Sequence, residues 1–178
     1  MTPTWPRAVG ESWPAIAGPA SLGRTSGRAP RQRLHECCIE LEVPFHDVDA
    51  LRVVWHGHYY KYLELARTRL LRSRRLDVPD LLELGVGFVM IESGCRYAAP
   101  LRYGDRVRVS AWFRDVKHRL FIAYEVANLT SARRAARGHT VLATTDGEGR
   151  MLLRTPPSIL ERLSAAPTPH PANPRADR

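Results

Sequence analysis

The sequence predicts an α+β domain, an antiparallel sheet of five to six strands wrapped around one long central helix. Three observations lead there. From Gly57 to about Arg75 the apolar residues Tyr59, Tyr62, Leu63, Ala66 and Leu70 recur at helical spacing, with Lys61, Arg69 and Arg72 on the other side. One alternating stretch precedes that helix. Four or five further alternating runs follow it, divided by turn residues in hairpin succession.

In chain order, residues 1–33 are rich in Pro, Gly, Ser, Ala and Arg without a sustained period. Such a segment buries too little apolar surface to offset its ordering entropy and reads as a disordered extension. The first strand spans Glu36 to Phe45, where Cys38, Glu40 and Glu42 alternate with Ile39, Leu41 and Val43. The central helix comes next. After Pro79 the run DLLELG reads as a short helical turn closed by Gly85. Strands are expected near Phe88–Tyr97, Asp105–Asp115, Leu120–Leu129 and Gly138–Thr145, with a last ragged one over about Arg150–Arg154. The turns between them fall at Pro100–Gly104, Lys117-His118, a Ser131–Gly138 loop and Asp146-Gly147. His118 reads as a plain hairpin residue. Residues 164–178 repeat the N-terminal composition and read as a second disordered tail, which leaves 34–163 as the folded domain. One helix cannot cover both faces and both edges of such a sheet, so a homodimer or homotetramer is expected.

A chain of 178 residues is long enough for one domain with a single core. Its +9 formal charge is concentrated at the ends. Residues 1–34 carry five Arg against one Glu and residues 164–178 two Arg against one Asp, leaving +4 for the middle. That excess argues against a nucleic-acid binder and suits an anionic small ligand such as a coenzyme A phosphate. Cys37 and Cys38 are adjacent and only Cys95 remains, so neither a disulfide framework nor a metal-ligand spacing is present. All three read as small buried apolar residues of strands in a reducing cytoplasm. No run reaches the roughly 18 apolar residues of a membrane span.

The chemistry concentrates in Phe45 to Arg67, FHDVDALRVVWHGHYYKYLELAR. Asp47 and Asp49 are two apart, so in an extended segment their carboxylates share one face. The helix that opens at His56-Gly57-His58 offers unpaired backbone N–H groups and a partial positive charge to a developing oxyanion. A carboxylate beside such a site suggests acyl transfer. Each residue also has a plainer role. Asp47 suits turn capping, His56 packing at the helix start, and Glu64 with Arg67 an i, i+3 ion pair. Arg133, Arg134 and Arg137 read as a charged hairpin tip, solvated or gripping CoA phosphates. P-loop, Rossmann and H-E-x-x-H signatures are absent from the sequence.

The order of elements and the string HDVDALRVVWHGHYYKYLELAR resemble the 4-hydroxybenzoyl-CoA thioesterase-like branch of the hotdog superfamily, including its small acyl-CoA thioesterases. Asp47, Asp49, Val53, Val54, Trp55, His56, Tyr59, Tyr62, Glu64, Ala66 and Arg67 fall on that family's pattern. TVLATTDGEGRMLLRTPPSIL resembles its final strands and the proline before a short C-terminal turn. The resemblance covers about 130 of the 178 residues. It implies a hotdog fold and hydrolysis of an acyl-CoA or acyl-carrier-protein thioester. Asp49 would be nucleophile or general base, and the backbone at His56 or Gly57 the oxyanion donor. It implies an active site at a dimer interface, and no cofactor beyond the coenzyme A or phosphopantetheine of the substrate.

Substrate-binding candidates are Trp55 and Tyr59, with Phe88, along the acyl slot, Arg52 at its mouth, Glu64 as a second carboxylate, and Arg133 and Arg134 for phosphates. Leu51-Arg52 departs from the family, which has Gly here. If the turn needs a positive φ, Arg52 is strained by about 1 kcal/mol or more. Alternatively the turn is built differently. Two rival functions stand beside hydrolysis. One is a hotdog 3-hydroxyacyl-thioester dehydratase or hydratase using Asp49 and His56, whose seven-residue separation exceeds that of the hydratase branch. The other is a non-catalytic acyl-thioester binding protein.

Overall fold

A computed structural model describes residues 33–166. The extensions expected at 1–33 and 164–178 lie outside them, apart from Arg33 and residues 164–166. The elements are β1 (Leu34–Glu42), a 3₁₀ turn (Phe45–Asp47), α1 (His58–Arg72), α2 (Val78–Glu83), β2 (Val86–Tyr97), β3 (Arg106–Asp115), β4 (Leu120–Asn128), β5 (Arg133–Asp146) and α3 (Pro157–Ser164). Five antiparallel strands form one sheet in the order β1-β3-β4-β5-β2.

The long helix lies on one face of this sheet. Tyr62, Leu63, Ala66 and Leu70 are buried against Val107, Val109, Ala111 and Phe113 of β3 and Leu120, Ile122, Tyr124 and Val126 of β4. Gly138 of β5 permits the close approach. A Cβ there would stand 2.7 Å from Leu63 Cδ1 and 3.1 Å from the Gly94 carbonyl oxygen. The alternation expected of β1 holds, with Cys38, Glu40 and Glu42 exposed and Ile39 and Leu41 half-buried. None of the three cysteines forms a disulfide; Cys37 and Cys95 are half-buried, but Cys38 falls on the outer face of β1 and is exposed, which corrects the expectation that all three are buried. Helix α2 begins after Asp77, whose backbone N–H donates to Asp80 Oδ2 (3.0 Å), with Pro79 in the first turn.

Four further sequence expectations are corrected. The first strand stops at Glu42 rather than Phe45, because Pro44 and the 3₁₀ turn Phe45–Asp47 leave the ladder. The Ser131–Gly138 loop does not exist. β5 begins at Arg133, pairs Arg133 with Asn128, Arg134 with Ala127 and Arg137 with Glu125, and the turn tightens around Ala132 at φ 53°. The ragged sixth strand reduces to a single bridge from Met151 to Thr145. The closing segment is an eight-residue helix rather than a turn. It is held by a hydrogen bond from Arg74 Nη1 to the Ala165 carbonyl (2.7 Å). Among the described residues no helix is long and apolar enough to cross a membrane.

Candidate active site

Between β1 and α1 the chain makes a tight excursion whose hydrogen bonds are local. The Asp47 carbonyl accepts the Trp55 N–H (3.0 Å), Val48 and Val54 bridge, Asp49 N–H donates to the Val53 carbonyl (2.9 Å), and Arg52 N–H donates to the Asp49 carbonyl (2.9 Å). The Val54 N–H is anchored to the Leu101 carbonyl (2.8 Å), which ties the excursion to the β2–β3 connection. Its tip is the Leu51-Arg52 pair. Arg52 adopts φ 60°, so the position the family fills with Gly does take the left-handed conformation here.

The two carboxylates are placed differently, which corrects the shared-face expectation. Asp47 ends a 3₁₀ turn, not an extended strand, and is 1% exposed. Its Oδ2 accepts the Tyr62 hydroxyl (2.7 Å) and its Oδ1 accepts Lys61 Nζ (3.2 Å), with His58 Nδ1 and His46 Nε2 each 3.5 Å away. Burial opposes the charge on Asp47. The Tyr62 and Lys61 hydrogen bonds and the nearby positive charge outweigh it and hold the carboxyl below its ordinary value. Asp49 is only half-buried. Its Oδ1 accepts the Leu51 N–H (2.8 Å), while its other oxygen meets no donor among the described residues.

The helix start stands beside this loop. Gly57 precedes α1 in right-handed helical conformation, with φ −65° and ψ −29°. The His58 N–H turns back to the Trp55 carbonyl (2.9 Å). Among the described residues neither the His56 nor the Gly57 N–H meets a protein acceptor. The Trp55 ring lies over Gly57, so close that a Cβ there would sit 1.9 Å from the indole. Trp55 also packs against His56 (4.7 Å between centroids) and edge-on to His58 (5.5 Å). Tyr97, at the end of β2, donates its hydroxyl to the His56 carbonyl (3.0 Å) and packs edge-on to Tyr59 (4.9 Å).

A cavity of about 310 Å³ adjoins this turn, lined by Val53, His56, Tyr59, Tyr97 and Pro100 among others. Tyr59 is itself buried, and its hydroxyl accepts the Leu101 N–H (3.2 Å). A second, mainly apolar cavity of about 420 Å³ runs between α1, α2 and β2, past Phe88, Leu81 and Leu142, with Glu64 and Arg67 on its wall. Those two are paired at 3.4 Å, as their spacing suggested. Trp55 lines neither cavity. Arg133 and Arg134 are exposed strand residues that also line neither, rather than members of a hairpin tip. Arg137 points to the sheet face away from α1, pairs with Glu125 (3.3 Å), and shares a third cavity of about 650 Å³ with Arg96, Arg114 and His139. His118 is an exposed residue of the β3–β4 turn. Among the described residues no three His, Cys, Asp or Glu are grouped to hold a metal ion.

Sequence reasoning missed Tyr97 and the three residues that gather around Asp47. Tyr97 reaches a backbone atom 41 residues away, a contact that leaves no trace in local periodicity. The set His58, Lys61 and Tyr62 did carry a signal, since spacings of three and four place them on one side of the first helical turn, above Asp47.

Comparison with known proteins agrees with the architecture. The sequence profile of the thioesterase-like superfamily matches residues 43–163. The Synechocystis sp. protein sll0410 is 31% identical over 127 residues, which are 70% of this chain and 76% of the relative. The acyl-CoA thioester hydrolase YbgC of Escherichia coli is 33% identical over 69 residues, 39% of this chain and 52% of that protein. Among solved structures, a mutant 4-hydroxybenzoyl-CoA thioesterase complexed with 4-hydroxybenzoyl-CoA superposes with a TM-score of 0.65 at 15% identity, over 73% of this chain and 99% of that one. That likeness identifies the helix-wrapping sheet as the hotdog fold. With the profile spanning every element from the end of β1 to α3, the chain belongs to the thioesterase-like superfamily.

Proposed function

We propose that the protein hydrolyses an acyl thioester of coenzyme A or of an acyl carrier protein to the free acid and thiol. The observation that carries this reading is that one loop brings a half-exposed Asp49, one oxygen of which meets no donor, and a helix start whose His56 and Gly57 N–H groups meet no protein acceptor, both among the described residues. Membership of the superfamily and the acyl-CoA thioester hydrolase name of YbgC support it.

The Leu51 N–H pins Asp49 Oδ1, leaving the other oxygen to attack the thioester carbonyl or to take a proton from the attacking water. Charge then develops on the carbonyl oxygen. The backbone N–H groups at His56 and Gly57, with the positive end of the α1 dipole, receive it, and collapse of the tetrahedral intermediate expels the thiolate, which takes up a proton; where Asp49 itself attacks, the mixed anhydride left on it is then cleaved by water to the free acid. No metal, flavin or nicotinamide takes part in this scheme. The cavity bounded by Phe88, Leu81 and Leu142 suits an apolar acyl group, and Glu64 on its wall is the alternative carboxylate. Arg52, Arg133 and Arg134 are candidates for the phosphates of the thiol carrier. Exposed Val89, Met90 and Ile91 on β2, which pairs only with β5 in the sheet, favour assembly of a homodimer or homotetramer through that edge.

The test is thiol release from a panel of benzoyl, short, medium and long acyl-CoAs, then from acyl carrier protein thioesters, by wild type and Asp49→Asn. Release that falls at least about a hundredfold in the variant supports the assignment. Hydration of a 2-enoyl-CoA without thiol release would replace it with the hydratase reading. Tight ligand binding without turnover, unchanged by Asp49→Ala, would replace it with a binding protein.

A further inference from the structure

The His56 carbonyl and the Gly57 N–H belong to one peptide group. That group is planar and trans, so its carbonyl and its N–H point in opposite directions and move together. The carbonyl end is held by the Tyr97 hydroxyl at 3.0 Å. The other end is the N–H without a protein acceptor among the described residues. Whatever fixes the first therefore aims the second.

The Tyr97 ring is 43% exposed and rests on one side against a buried neighbour. It stands edge-on to Tyr59, with centroids 4.9 Å apart and an interplanar angle of 80°, and Tyr59 is 3% exposed. Tyr97 ends β2, so the hydrogen bond fastens the helix start to the sheet rather than to its own loop. The Trp55 indole, 49% exposed, lies over Gly57 on the side where a side chain would stand. A hydrogen bond accepted by an amide carbonyl also polarises the N–H of the same peptide, making it a stronger donor.

We infer that Tyr97 is a positioning residue of the reaction: its hydroxyl, through the His56 carbonyl, aims and polarises the Gly57 N–H toward the oxyanion of the tetrahedral intermediate. This inference rests on the proposed thioester hydrolysis. Tyr97 touches no reacting atom in this scheme, and its phenol is pushed up to about 12 by burial first, then by the neighbouring Cys95 thiol. It remains a donor throughout the working pH range.

The experiment compares wild type, Tyr97→Phe and Asp49→Asn with the acyl-CoA that wild type cleaves fastest. Tyr97→Phe keeps the ring against Tyr59 and removes only the hydroxyl. It is expected to fold with an unchanged oligomeric state, to lose about 10–100-fold in kcat, and to keep KM within about threefold, because the lost interaction is made through the oxyanion donor alone. The Gly57 backbone ¹⁵N resonance is expected to shift in Tyr97→Phe without substrate present, a readout independent of turnover. A kcat within twofold of wild type, in preparations where Asp49→Asn abolishes thiol release, overturns the positioning role and leaves the hydrolase reading intact. A raised KM at unchanged kcat overturns it as well, since Tyr97 would then serve binding. Failure of wild type to release thiol from any thioester overturns the hydrolase reading and the positioning role together.

Discussion

The Asp47 carboxylate and the Tyr62 hydroxyl form a buried 2.7 Å hydrogen bond that fastens the 3₁₀ turn before the candidate-site loop to the first turns of α1. Lys61 binds the other carboxylate oxygen at 3.2 Å. Removing the acid leaves a buried hydroxyl without an acceptor, so Asp47→Ala is expected to cost about 2–4 kcal/mol of stability. Asp49→Asn keeps an oxygen for the Leu51 N–H at a half-exposed site and is expected to cost less than about 1 kcal/mol. Urea unfolding separates the two. If Asp47→Ala unfolds at the wild-type midpoint, the anchoring role fails.

The same pair sets a pH dependence. Burial pushes the Asp47 carboxyl up, but the hydrogen bonds from Tyr62 and Lys61 and the Lys61 charge bring it below the ordinary carboxylate value. A carboxyl depressed in the folded state stabilises at pH values above its unfolded pKa, about 3.9, and that stabilisation is lost as pH falls through the folded pKa. The urea midpoint of wild type is therefore expected to drop further between pH 6 and pH 3 than that of Asp47→Asn. Parallel losses in the two proteins would assign the acid sensitivity to other carboxylates, Glu40 and Asp146 being the first to test, since hydrogen bonds from Arg108 and Arg150 depress them.

Arg52 sits at φ 60°, where a Cβ crowds the backbone and glycine does not. Arg52→Gly is expected to raise stability by up to about 1 kcal/mol, the relieved strain exceeding the added freedom of the unfolded chain. In a thermal melt that corresponds to a shift of a few degrees. A lower melting temperature would mean that the arginine side chain makes a stabilising contact worth more than the strain. The acyl-CoA preference of the variant tells whether the guanidinium also serves the substrate.

Much of this architecture was legible because one periodicity dominated each segment. Tyr59, Tyr62, Leu63, Ala66 and Leu70 marked the buried stripe of α1 residue by residue, and Cys38, Glu40 and Glu42 marked the outer face of β1. The loop expected over Ser131–Gly138, with Arg133, Arg134 and Arg137 on a charged tip, is strand from Arg133 onward. In β5 Arg134 and Arg137 stand in the ladder opposite Ala127 and Glu125, on either side of a register shift at Ala135, and their polarity does not forbid this on an exposed face. Asp47 and Asp49 were misread as sharing a face because the two-residue rule holds only in an extended chain, and a 3₁₀ turn intervenes. The motif located the candidate site in sequence. Tyr97 could not be found that way, since its partner is the carbonyl of a residue chosen by the fold rather than by spacing.

Gly57 provides the last prediction, because its lack of a side chain is required by a neighbour and not by its own backbone. Its φ of −65° and ψ of −29° are open to any residue, so Gly57→Ala meets no conformational strain. The added methyl instead occupies the space of the Trp55 indole, 1.9 Å from its nearest ring carbon and 2.4 Å from the next. The ring has to swing away, and Trp55 is 49% exposed, which gives it room to do so. Gly57→Ala is therefore expected to fold within about 1 kcal/mol of wild type, a small loss coming from alanine being the poorer residue at the N-cap of α1. It is also expected to shift tryptophan emission and to lower kcat at least about tenfold, because the peptide that offers the proposed oxyanion donor loses its cover. Intact turnover together with an altered emission spectrum would show that the Trp55 lid is dispensable for the reaction. Intact turnover with unchanged emission would show that the indole never covers Gly57 in solution.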